Sequence, residues 1–450
     1  MKDENFLKEN NARHLWHPMG HPAESLANPP KIITGAEGVK ITDIDGHSVV
    51  DAVGGLWCAN LGYSNDVIKD AIAKQLYDLP YYSSFAGSTN PPAIEASLAV
   101  REMFADDGMA RVFFTSGGSD AVETTLRLAR QYHRLRGEPT RTKFISLKKG
   151  YHGTHFGGAS VNGNNRFRIS YEPLLPGCFH LPSPYPYRNP YGETDPAKLA
   201  QNIAAAFEDE VAFQDPKTIA AFIMEPIQGA GGVIVPDASF MGLMRDVCTL
   251  HGILMISDEV ITGFGRTGDW SGARHWGVKP DMMSLAKGIT SAYFPVGAAL
   301  MSDQVAVVFE NDRSADGSIF HGYTYSAHPV GAAAVTACLS ETLQLDTKTN
   351  AAARGAQLYQ GVQKLKEKYD VVGDVRGGEG LMTALELVSD RAAKTALDMD
   401  AMKRVHQATY EAGSMVRLGM NNILMSPPLT ISEAEVDVIL SALDAGLAAV

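Results

Sequence analysis

Three short stretches of this sequence place reactive side chains directly after apolar runs that have the length of a β-strand. Lys287 and Asp258 each follow such a run, and the turn TSGGS at 115–119 follows a third. Because parallel sheets bind ligands beyond the carboxyl ends of their strands, we expect all three stretches at one edge of one sheet. A lysine is uncommon at a buried strand end, and desolvation there would lower the pKa of its amine and make it a nucleophile.

The turn at 115–119 is typical of an anion site. Gly118 and Ser119 open a helical pattern, so free backbone N–H groups and the positive helix end would face a bound anion. The turn contains no lysine, which favours a phosphate monoester over a nucleoside triphosphate. A lysine, a carboxylate and a phosphate turn are the three groups that pyridoxal 5′-phosphate requires. Each feature alone also has an ordinary explanation as a surface lysine, a capping aspartate or a Gly-Ser turn.

The stretch GFGRTG at 263–268 matches the G-x-G-x-x-G pattern of dinucleotide-binding loops. Its context does not fit that pattern, because five residues separate the preceding apolar run from the first glycine and no helical pattern follows the last one. The nearest acidic residue to the required position about 20 residues further on is Asp281, which comes too early. We therefore interpret GFGRTG as a loop whose glycines allow close backbone approach.

Two groups of histidines raise the question of a metal. His152 and His155 form H-x-x-H, and His14, His17 and His21 lie close together near the N-terminus. Neither group has carboxylates or cysteines at ligand spacing, so we expect no metal site.

The composition limits the class of protein. A chain of 450 residues is too long for one simple core, and a net charge of −12 disfavours nucleic acid as a partner. The four cysteines are scattered, which argues against a disulfide framework and suits a reducing cytoplasm. The first residues do not form a signal-peptide pattern, and no apolar run approaches the ~20 residues of a membrane span, so we expect neither secretion nor membrane insertion.

Apolar strand-length runs alternate with helical patterns through the middle of the chain. This alternation predicts an α/β fold whose mostly parallel sheet is flanked by helices. The Pro- and Tyr-rich stretch 183–191 is expected to be an ordered surface loop. The predicted strands are 111–115, 143–147, 219–224, 253–257 and 282–286, and the helices are 119–136, 195–210 and 237–251.

The two ends of the chain have a different pattern. Short strands at 38–44 and 48–53, together with helices and strands near the C-terminus, predict a smaller α+β domain built from both ends. We expect residues 1–65 to be the N-terminal segment of that domain and 329–450 to be its C-terminal part. Residues between these segments, 66–328, would form the large cofactor-binding domain.

Six motifs make the whole chain similar to a known family. They are FFTSGGSDAVE, KKGYHGTHFGG, FIMEPIQGAGG, ISDEVITGFGRTG, LAKGIT and FHGYTYSAHPVGAAA, in this order. On these motifs the sequence resembles the class III aminotransferases among the fold-type I pyridoxal-phosphate enzymes. The resemblance implies pyridoxal 5′-phosphate as cofactor and a homodimer, or a tetramer, with active sites at the subunit interface.

The resemblance also implies roles for individual residues. Lys287 would form a Schiff base, the internal aldimine, with the cofactor and would then move a proton, while Asp258 would keep the ring nitrogen protonated. Tyr151 and Val260 would contact the two faces of the ring. The other cofactor-binding residues implied are Gly118, Ser119, His152, Glu225 and Thr324, the last reaching the phosphate of the neighbouring subunit.

Departures from well-known members of the family narrow the substrate. Ala230 and Ile261 stand where enzymes acting on ornithine, acetylornithine or 4-aminobutyrate usually have polar residues, so this pocket would be more apolar. Amine-type, or ω-, transaminases that use pyruvate share such replacements, and they share an aromatic residue near Trp57. Arg417 matches the arginine with which those enzymes bind a keto-acid carboxylate, and Tyr151 would also border the substrate. The alternatives are a surface position for Arg417 and a core position for Trp57.

We therefore expect a cytoplasmic transaminase with ping-pong kinetics. It would move an amino group from an amine or ω-amino acid to a keto acid, with pyruvate giving alanine as the expected acceptor reaction. An aminomutase, a racemase or a decarboxylase on the same fold, an NAD-dependent dehydrogenase and a non-catalytic binding protein are the alternatives. The donor stays open among β-alanine, taurine, putrescine and aryl-alkyl amines.

Overall fold

The computed structural model describes residues 3–450, whose strands form three sheets. The strands are β1 (Ile33–Glu37), β2 (Lys40–Asp43), β3 (Ser48–Asp51), β4 (Met109–Thr115), β5 (Lys143–Leu147), β6 (Cys178–Leu181), β7 (Ile219–Met224), β8 (Leu254–Asp258), β9 (Met282–Leu285), β10 (Gly297–Ser302), β11 (Val372–Gly378), β12 (Gly380–Asp390), β13 (Thr395–Ala396), β14 (Ser414–Met415), β15 (Arg417–Gly419) and β16 (Asn422–Met425).

Two helices precede the first strand, and the others lie between and after the strands. They are α1 (Glu4–Asn10), α2 (Pro22–Ala27), α3 (Gly54–Trp57), α4 (Asp66–Asp78), α5 (Pro91–Met103), α6 (Gly118–Leu135), α7 (Phe156–Val161), α8 (Pro196–Gln214), α9 (Phe240–His251), α10 (Gly272–His275), α11 (Asp303–Asn311), α12 (Pro329–Gln344), α13 (Thr347–Lys368), α14 (Met399–Glu411) and α15 (Glu433–Leu447). Within the described residues, no helix combines the length and apolar character that crossing a membrane requires.

The large sheet has seven strands in the order β4-β10-β9-β8-β7-β5-β6. Neighbours from β9 to β6 run parallel, whereas β10 is antiparallel to both β4 and β9. Every residue of β7 and β8 is buried, as expected for a parallel sheet covered on both faces. The predicted α/β class is confirmed, although the sequence patterns did not predict β6 or β10.

Helices pack against both faces of this sheet through two separate apolar clusters. On one face, Leu126 and Ala129 of α6 pack with Ile256 of β8. On the other face, Phe207 of α8 and Met244 of α9 pack in the cluster that contains the opposite side chains of the same strands. Consequently the carboxyl ends of β7, β8 and β9 are held in place by core packing on both sides.

The smaller sheets combine both ends of the chain. The sheet β11-β12-β16-β15 packs against α13 and α15 through a cluster that includes Leu358, Leu385 and Ile439. The sheet β1-β2-β3-β14 joins the N-terminal strands to β14 by a parallel pairing in which Met415 lies opposite Asp51. These contacts agree with a smaller α+β unit formed from both chain ends.

Two details of the packing concern helix α12 and the loop at 183–191. Helix α12 shares the large-sheet cluster through Ala332, Val335 and Leu339, so its packing favours a boundary between α12 and α13 over one at residue 329. The division 1–65, 66–328 and 329–450 stays a prediction. The loop at 183–191 is not wholly at the surface, because Tyr185 is only 2% exposed and donates a hydrogen bond to Glu386 of β12.

Candidate active site

A buried Asp–His pair lies at the carboxyl end of β8. Asp258 is 3% exposed, and its Oδ2 is 2.7 Å from Nδ1 of His152, which is 1% exposed. The other carboxylate oxygen accepts a hydrogen bond from the N–H of Val260 at 3.2 Å. Asn162 orients the histidine, because its side chain accepts from the His152 N–H at 2.5 Å and donates to the Gly153 carbonyl at 2.8 Å. The sequence patterns did not identify Asn162, since nothing local distinguishes it from other loop asparagines.

Lys287 begins a 3-10 turn, Lys287–Ile289, two residues after β9 ends. Its φ of 48° lies in the left-handed region, which non-glycine residues rarely adopt outside tight turns and functional sites. Burial lowers the pKa of its amine, and the negative charge of nearby Asp258 partly opposes that shift. A lysine with a lowered pKa has a larger neutral fraction, which is the form that attacks carbonyls and accepts protons.

The turn before α6 lies against the ends of β8 and β9. A Cβ added to Gly118 would be 3.0 Å from Cγ1 of Val260 and 3.5 Å from Cβ of Ala286. Ser119 Oγ accepts a hydrogen bond from the N–H of Thr154 at 3.2 Å. In the described part of the chain, the N–H groups of Gly118 and Ser119 have no acceptor, as is usual for the first turn of a helix. These N–H groups are therefore available to an anion.

Asp120 stabilises this turn, and the sequence patterns did not identify it. One of its carboxylate oxygens accepts from the N–H of Ser116 at 3.1 Å, and the other is 2.6 Å from Nε2 of His155. The available signal was an acidic residue in the first turn of a helix, where the helix dipole favours negative charge.

Glu225 connects two loops of the site. It follows β7, is 4% exposed, and accepts hydrogen bonds from the N–H groups of Tyr151 and Gly229, both at 2.9 Å. Burial raises the pKa of this carboxyl to about 7. The Tyr151 ring packs against Phe167 with centroids 4.8 Å apart, and burial together with nearby Asp258 raises the pKa of its phenol.

The predicted substrate residues include an apolar wall. Trp57 and Ile261 are 4% and 7% exposed and belong to one cluster that also contains Leu424. A Cβ on Gly229 would lie 2.6 Å from Cδ1 of Ile261, so the turn that carries half-buried Ala230 packs directly on this wall.

Arg417 is half-buried and unpaired. No carboxylate of residues 3–450 forms an ion pair with it, and burial lowers the pKa of its guanidinium. Its positive charge favours a lower pKa for both the Tyr151 phenol and the Lys287 amine, so Arg417 lies near these two groups. Arg417 is therefore not a fully exposed surface arginine, and its role at the site stays a prediction.

Within residues 3–450, Thr324 makes no hydrogen bond to another predicted site residue. It is exposed, and its carbonyl oxygen accepts a hydrogen bond from Oη of Tyr81 at 2.8 Å. Its neighbours border a groove of about 1540 Å³ lined by apolar side chains such as Phe85 and Phe320.

GFGRTG forms turns and does not open a nucleotide-binding helix. The first helix after it, α10, begins at Gly272 and has four residues. Arg266 is 0% exposed and donates to the Pro427 carbonyl at 2.6 Å, the Leu381 carbonyl at 3.1 Å and Asn60 Oδ1 at 2.9 Å. The loop therefore joins the large sheet to the smaller one, and its interpretation as a structural loop is confirmed.

The histidines of the H-x-x-H pattern face different partners. His152 pairs with Asp258 and His155 with Asp120. Residues 3–450 contain no group of three or more histidine, cysteine, aspartate or glutamate side chains placed to hold a metal ion.

The comparison with known proteins decides the family. Residues 23–447 match the sequence model of the family described as aminotransferase class-III. The chain belongs to the class III aminotransferases. This aminotransferase is similar to an amine transaminase from an uncultivated Pseudomonas species, solved in its PLP-bound form, with 47% identity, a TM-score of 0.95 and coverage of 97% of this chain and 98% of that one.

Curated relatives of the aminotransferase are more distant and differ in substrate. The putrescine–pyruvate aminotransferase of Pseudomonas aeruginosa is 35% identical, covering 90% of this chain and 88% of the relative. The diaminobutyrate–2-oxoglutarate transaminase of Halomonas elongata is 36% identical, covering 92% and 89%. The shared activity is amino transfer with pyridoxal 5′-phosphate, which is the cofactor of this family.

The residues of the aminotransferase fit this cofactor. The turn at Gly118 offers free N–H groups to a phosphate, and the absence of a side chain there leaves space beside Val260. Asp258 offers a buried carboxylate to a ring nitrogen, and Lys287 offers an amine with a lowered pKa. Pyridoxal 5′-phosphate has one group for each of these three partners.

Proposed function

We propose that this aminotransferase moves an amino group from an apolar amine or an ω-amino acid to pyruvate, which leaves as alanine. The observation that carries the proposal is Arg417, a half-buried guanidinium that has no carboxylate partner within residues 3–450. Its positive charge contributes to the lowered pKa of the Lys287 amine. An unpaired buried charge is costly, so it favours a substrate that supplies a carboxylate. The wall formed by Trp57 and Ile261 supplies the apolar surface for the donor.

Each polar residue has one task in this proposal. The cofactor, when bound, withdraws electrons from the substrate Cα. Lys287 would move a proton from Cα of the donor to C4′ of the cofactor in the first stage, and from C4′ to Cα of the acceptor in the second stage. Asp258, oriented by His152, would place a negative charge at the ring nitrogen, and Gly118 and Ser119 would hold the phosphate. We assign these roles to the chain on the contacts described above.

The remaining assigned residues shape the binding surfaces. Tyr151 and Val260 would contact the two faces of the cofactor ring, and Glu225 holds the Tyr151 backbone in place. Arg417 binds the keto-acid carboxylate through two parallel hydrogen bonds and moves aside when an apolar amine enters. Ala230 leaves space next to the donor.

We also propose that the active enzyme is a homodimer in the cytoplasm. The groove beside Thr324 carries exposed apolar side chains, of which Phe320 is 93%, Phe156 63% and Phe85 53% exposed. Contiguous apolar patches of this kind mark protein interfaces. In the dimer, Thr324 would reach the phosphate of the partner's site. Four cysteines that form no disulfide suit a reducing compartment.

A two-stage assay tests the reaction. The holoenzyme is first mixed with one donor from a panel of β-alanine, taurine, putrescine and an aryl-alkyl amine, and the visible spectrum of the cofactor is recorded. We expect conversion to the aminated cofactor without an acceptor, and return of the spectrum with stoichiometric alanine when pyruvate is added. Parallel runs with 2-oxoglutarate test the other acceptor that a relative uses. Turnover without any keto acid would instead support a racemase, mutase or decarboxylase.

Arg417→Leu separates the two stages. We expect KM for pyruvate to rise at least about tenfold, since a charge-assisted bidentate pair contributes roughly 1.5–3 kcal/mol, while the amine stage keeps its rate. Arg417→Lys is the matched control, because it retains the charge and loses the planar fork. An unchanged KM for pyruvate in Arg417→Leu would exclude the assigned role.

A further inference from the structure

A buried carboxylate organises the turn that follows β3. Asp51, the last residue of that strand, is 2% exposed. Its Oδ1 accepts hydrogen bonds from the N–H groups of Val53 at 2.9 Å and Gly54 at 3.1 Å. Its Oδ2 accepts from the N–H of Gly55 at 2.6 Å and from the phenol of Tyr63 at 2.5 Å. Four donors therefore converge on one side chain.

The backbone of this turn adopts conformations that need such support. Gly54, Gly55 and Trp57 have φ values of 62°, 65° and 63°. The left-handed region is unfavourable for a residue with a side chain, so Trp57 is held there by its surroundings. A Cβ on Gly54 would be 2.7 Å from the Ser426 carbonyl, so the turn also fits closely against the strand end of β16. The orientation of the Trp57 ring therefore depends on the turn that Asp51 organises.

The same carboxylate lies beside the segment that leads to Arg417. Asp51 pairs in register with Met415, and the next residue, Ala52, donates a hydrogen bond to the Met415 carbonyl at 2.9 Å. Arg417 follows two residues later. A cavity of about 550 Å³ is lined by residues that include Asp51, Tyr63 and Arg417. Asp51 therefore lies next to both the turn that carries Trp57 and the segment that leads to Arg417.

We propose that Asp51 and Tyr63 are positioning residues for donor specificity, because together they set the place of Trp57 relative to Arg417. Neither residue is assigned a contact with substrate or cofactor. This inference rests on the proposed function, since it requires an amine donor beside Trp57. It predicts that weakening the pair changes which donors fit and leaves the chemistry of Lys287 unchanged.

The chain contains a matched control for this pair. Tyr410 donates to Oδ2 of Asp43 at 2.7 Å, and Oδ1 of Asp43 accepts from the N–H groups of Asp45 at 3.1 Å and His47 at 3.0 Å. Asp43, at the end of β2 in the same small sheet as Asp51, therefore organises a turn with the help of a tyrosine of α14, but that turn carries no proposed substrate residue. Tyr63→Phe and Tyr410→Phe each remove one phenol hydroxyl from an equivalent network.

The first readout is donor selectivity. The ratio of kcat/KM for a bulky aryl-alkyl amine to that for a small alkyl amine is measured with pyruvate held saturating. We expect Tyr63→Phe to change this ratio about 5- to 50-fold, because small displacements of a pocket wall have effects of that size on kcat/KM. Tyr410→Phe is expected to leave the ratio within about twofold. An unchanged ratio in Tyr63→Phe, or an equal change in both variants, would overturn the proposal.

The second readout needs no turnover. Holoenzyme labelled with fluorotryptophan gives one fluorine NMR resonance for each of Trp16, Trp57, Trp270 and Trp276, and the Trp57 resonance is assigned with Trp57→Phe. We expect Tyr63→Phe and Asp51→Asn to shift or broaden the Trp57 resonance alone, and Tyr410→Phe to leave it in place. If no donor reacts in the wild-type enzyme, the proposed function is wrong. If the Trp57 resonance is unchanged in Tyr63→Phe, this inference is wrong whatever the outcome for the proposed function.

Discussion

Replacement of Gly118 by alanine tests whether the phosphate turn packs directly against Val260, the residue that we assign to one face of the cofactor ring. The new Cβ would lie 3.0 Å and 3.2 Å from the two methyl groups of Val260, and 3.5 Å from Cβ of Ala286. Ordinary Cβ contacts begin near 3.4 Å, so Val260 must move by a few tenths of an ångström. Val260 is half-buried and is the residue that we propose contacts one face of the cofactor ring, so its displacement would alter that contact.

The size of the effect follows from this geometry. Overpacking of this kind costs about 1–3 kcal/mol. If the cost falls on the holoenzyme, the Kd for pyridoxal 5′-phosphate rises about 5- to 150-fold, since 1.4 kcal/mol corresponds to a factor of ten. Gly117→Ala is the control, because a Cβ there meets nothing within 4 Å and its φ of 176° is extended backbone. We expect Gly117→Ala to change the Kd no more than about twofold.

A double-mutant cycle on the Kd identifies the cause. Val260→Ala removes the methyl groups that Gly118→Ala would meet, so the double variant should bind cofactor more tightly than the sum of the single effects predicts, by at least about 1 kcal/mol. The Kd is measured by titrating apoenzyme with cofactor and following visible absorbance. Additive effects, or a loss in Gly117→Ala equal to that in Gly118→Ala, would refute the reasoning.

Two further predictions concern buried charges. Burial raises the pKa of Glu225 from 4.5 to about 7, so its stabilising contribution is complete below pH 4.5 and is lost as the pH rises through about 7. The difference in unfolding free energy between wild type and Glu225→Gln, measured by urea denaturation, should therefore fall by up to ~1.4 kcal/mol per pH unit between these values. A difference that does not depend on pH would contradict this prediction. Arg266→Lys replaces the two guanidinium nitrogens that bond three buried oxygens with a single ammonium nitrogen, which lacks the planar fork that matches these acceptors. We expect a loss of about 2–5 kcal/mol in the free energy of unfolding, and an unfolding midpoint equal to that of the wild type would exclude this role of the guanidinium.

Much of the architecture could be predicted from local patterns. The strands β5 and β7 begin and end where their apolar runs do, and α6 begins within one residue of its expected start. The strand β10 was missed because its small residues, GAALMS, resemble a loop or a helix as much as a strand. Helix α12 has a clear helical pattern, but that pattern does not indicate which core it joins.

The sequence by itself determined which side chains stand at strand ends. The carboxyl ends of parallel strands meet at one edge of a sheet, so local periodicity was enough to predict a common location for Lys287, Asp258 and Gly118. The family motifs then indicated amino transfer with pyridoxal 5′-phosphate. Only the tertiary structure decided the contacts between distant segments, such as the bond between His152 and Asp258, which are 106 residues apart. It also decided that Asp51 adjoins the segment of Arg417. Such contacts depend on how whole elements pack and not on the pattern within any one of them, because core packing and the pairing of buried polar groups select one arrangement among many that are locally equivalent.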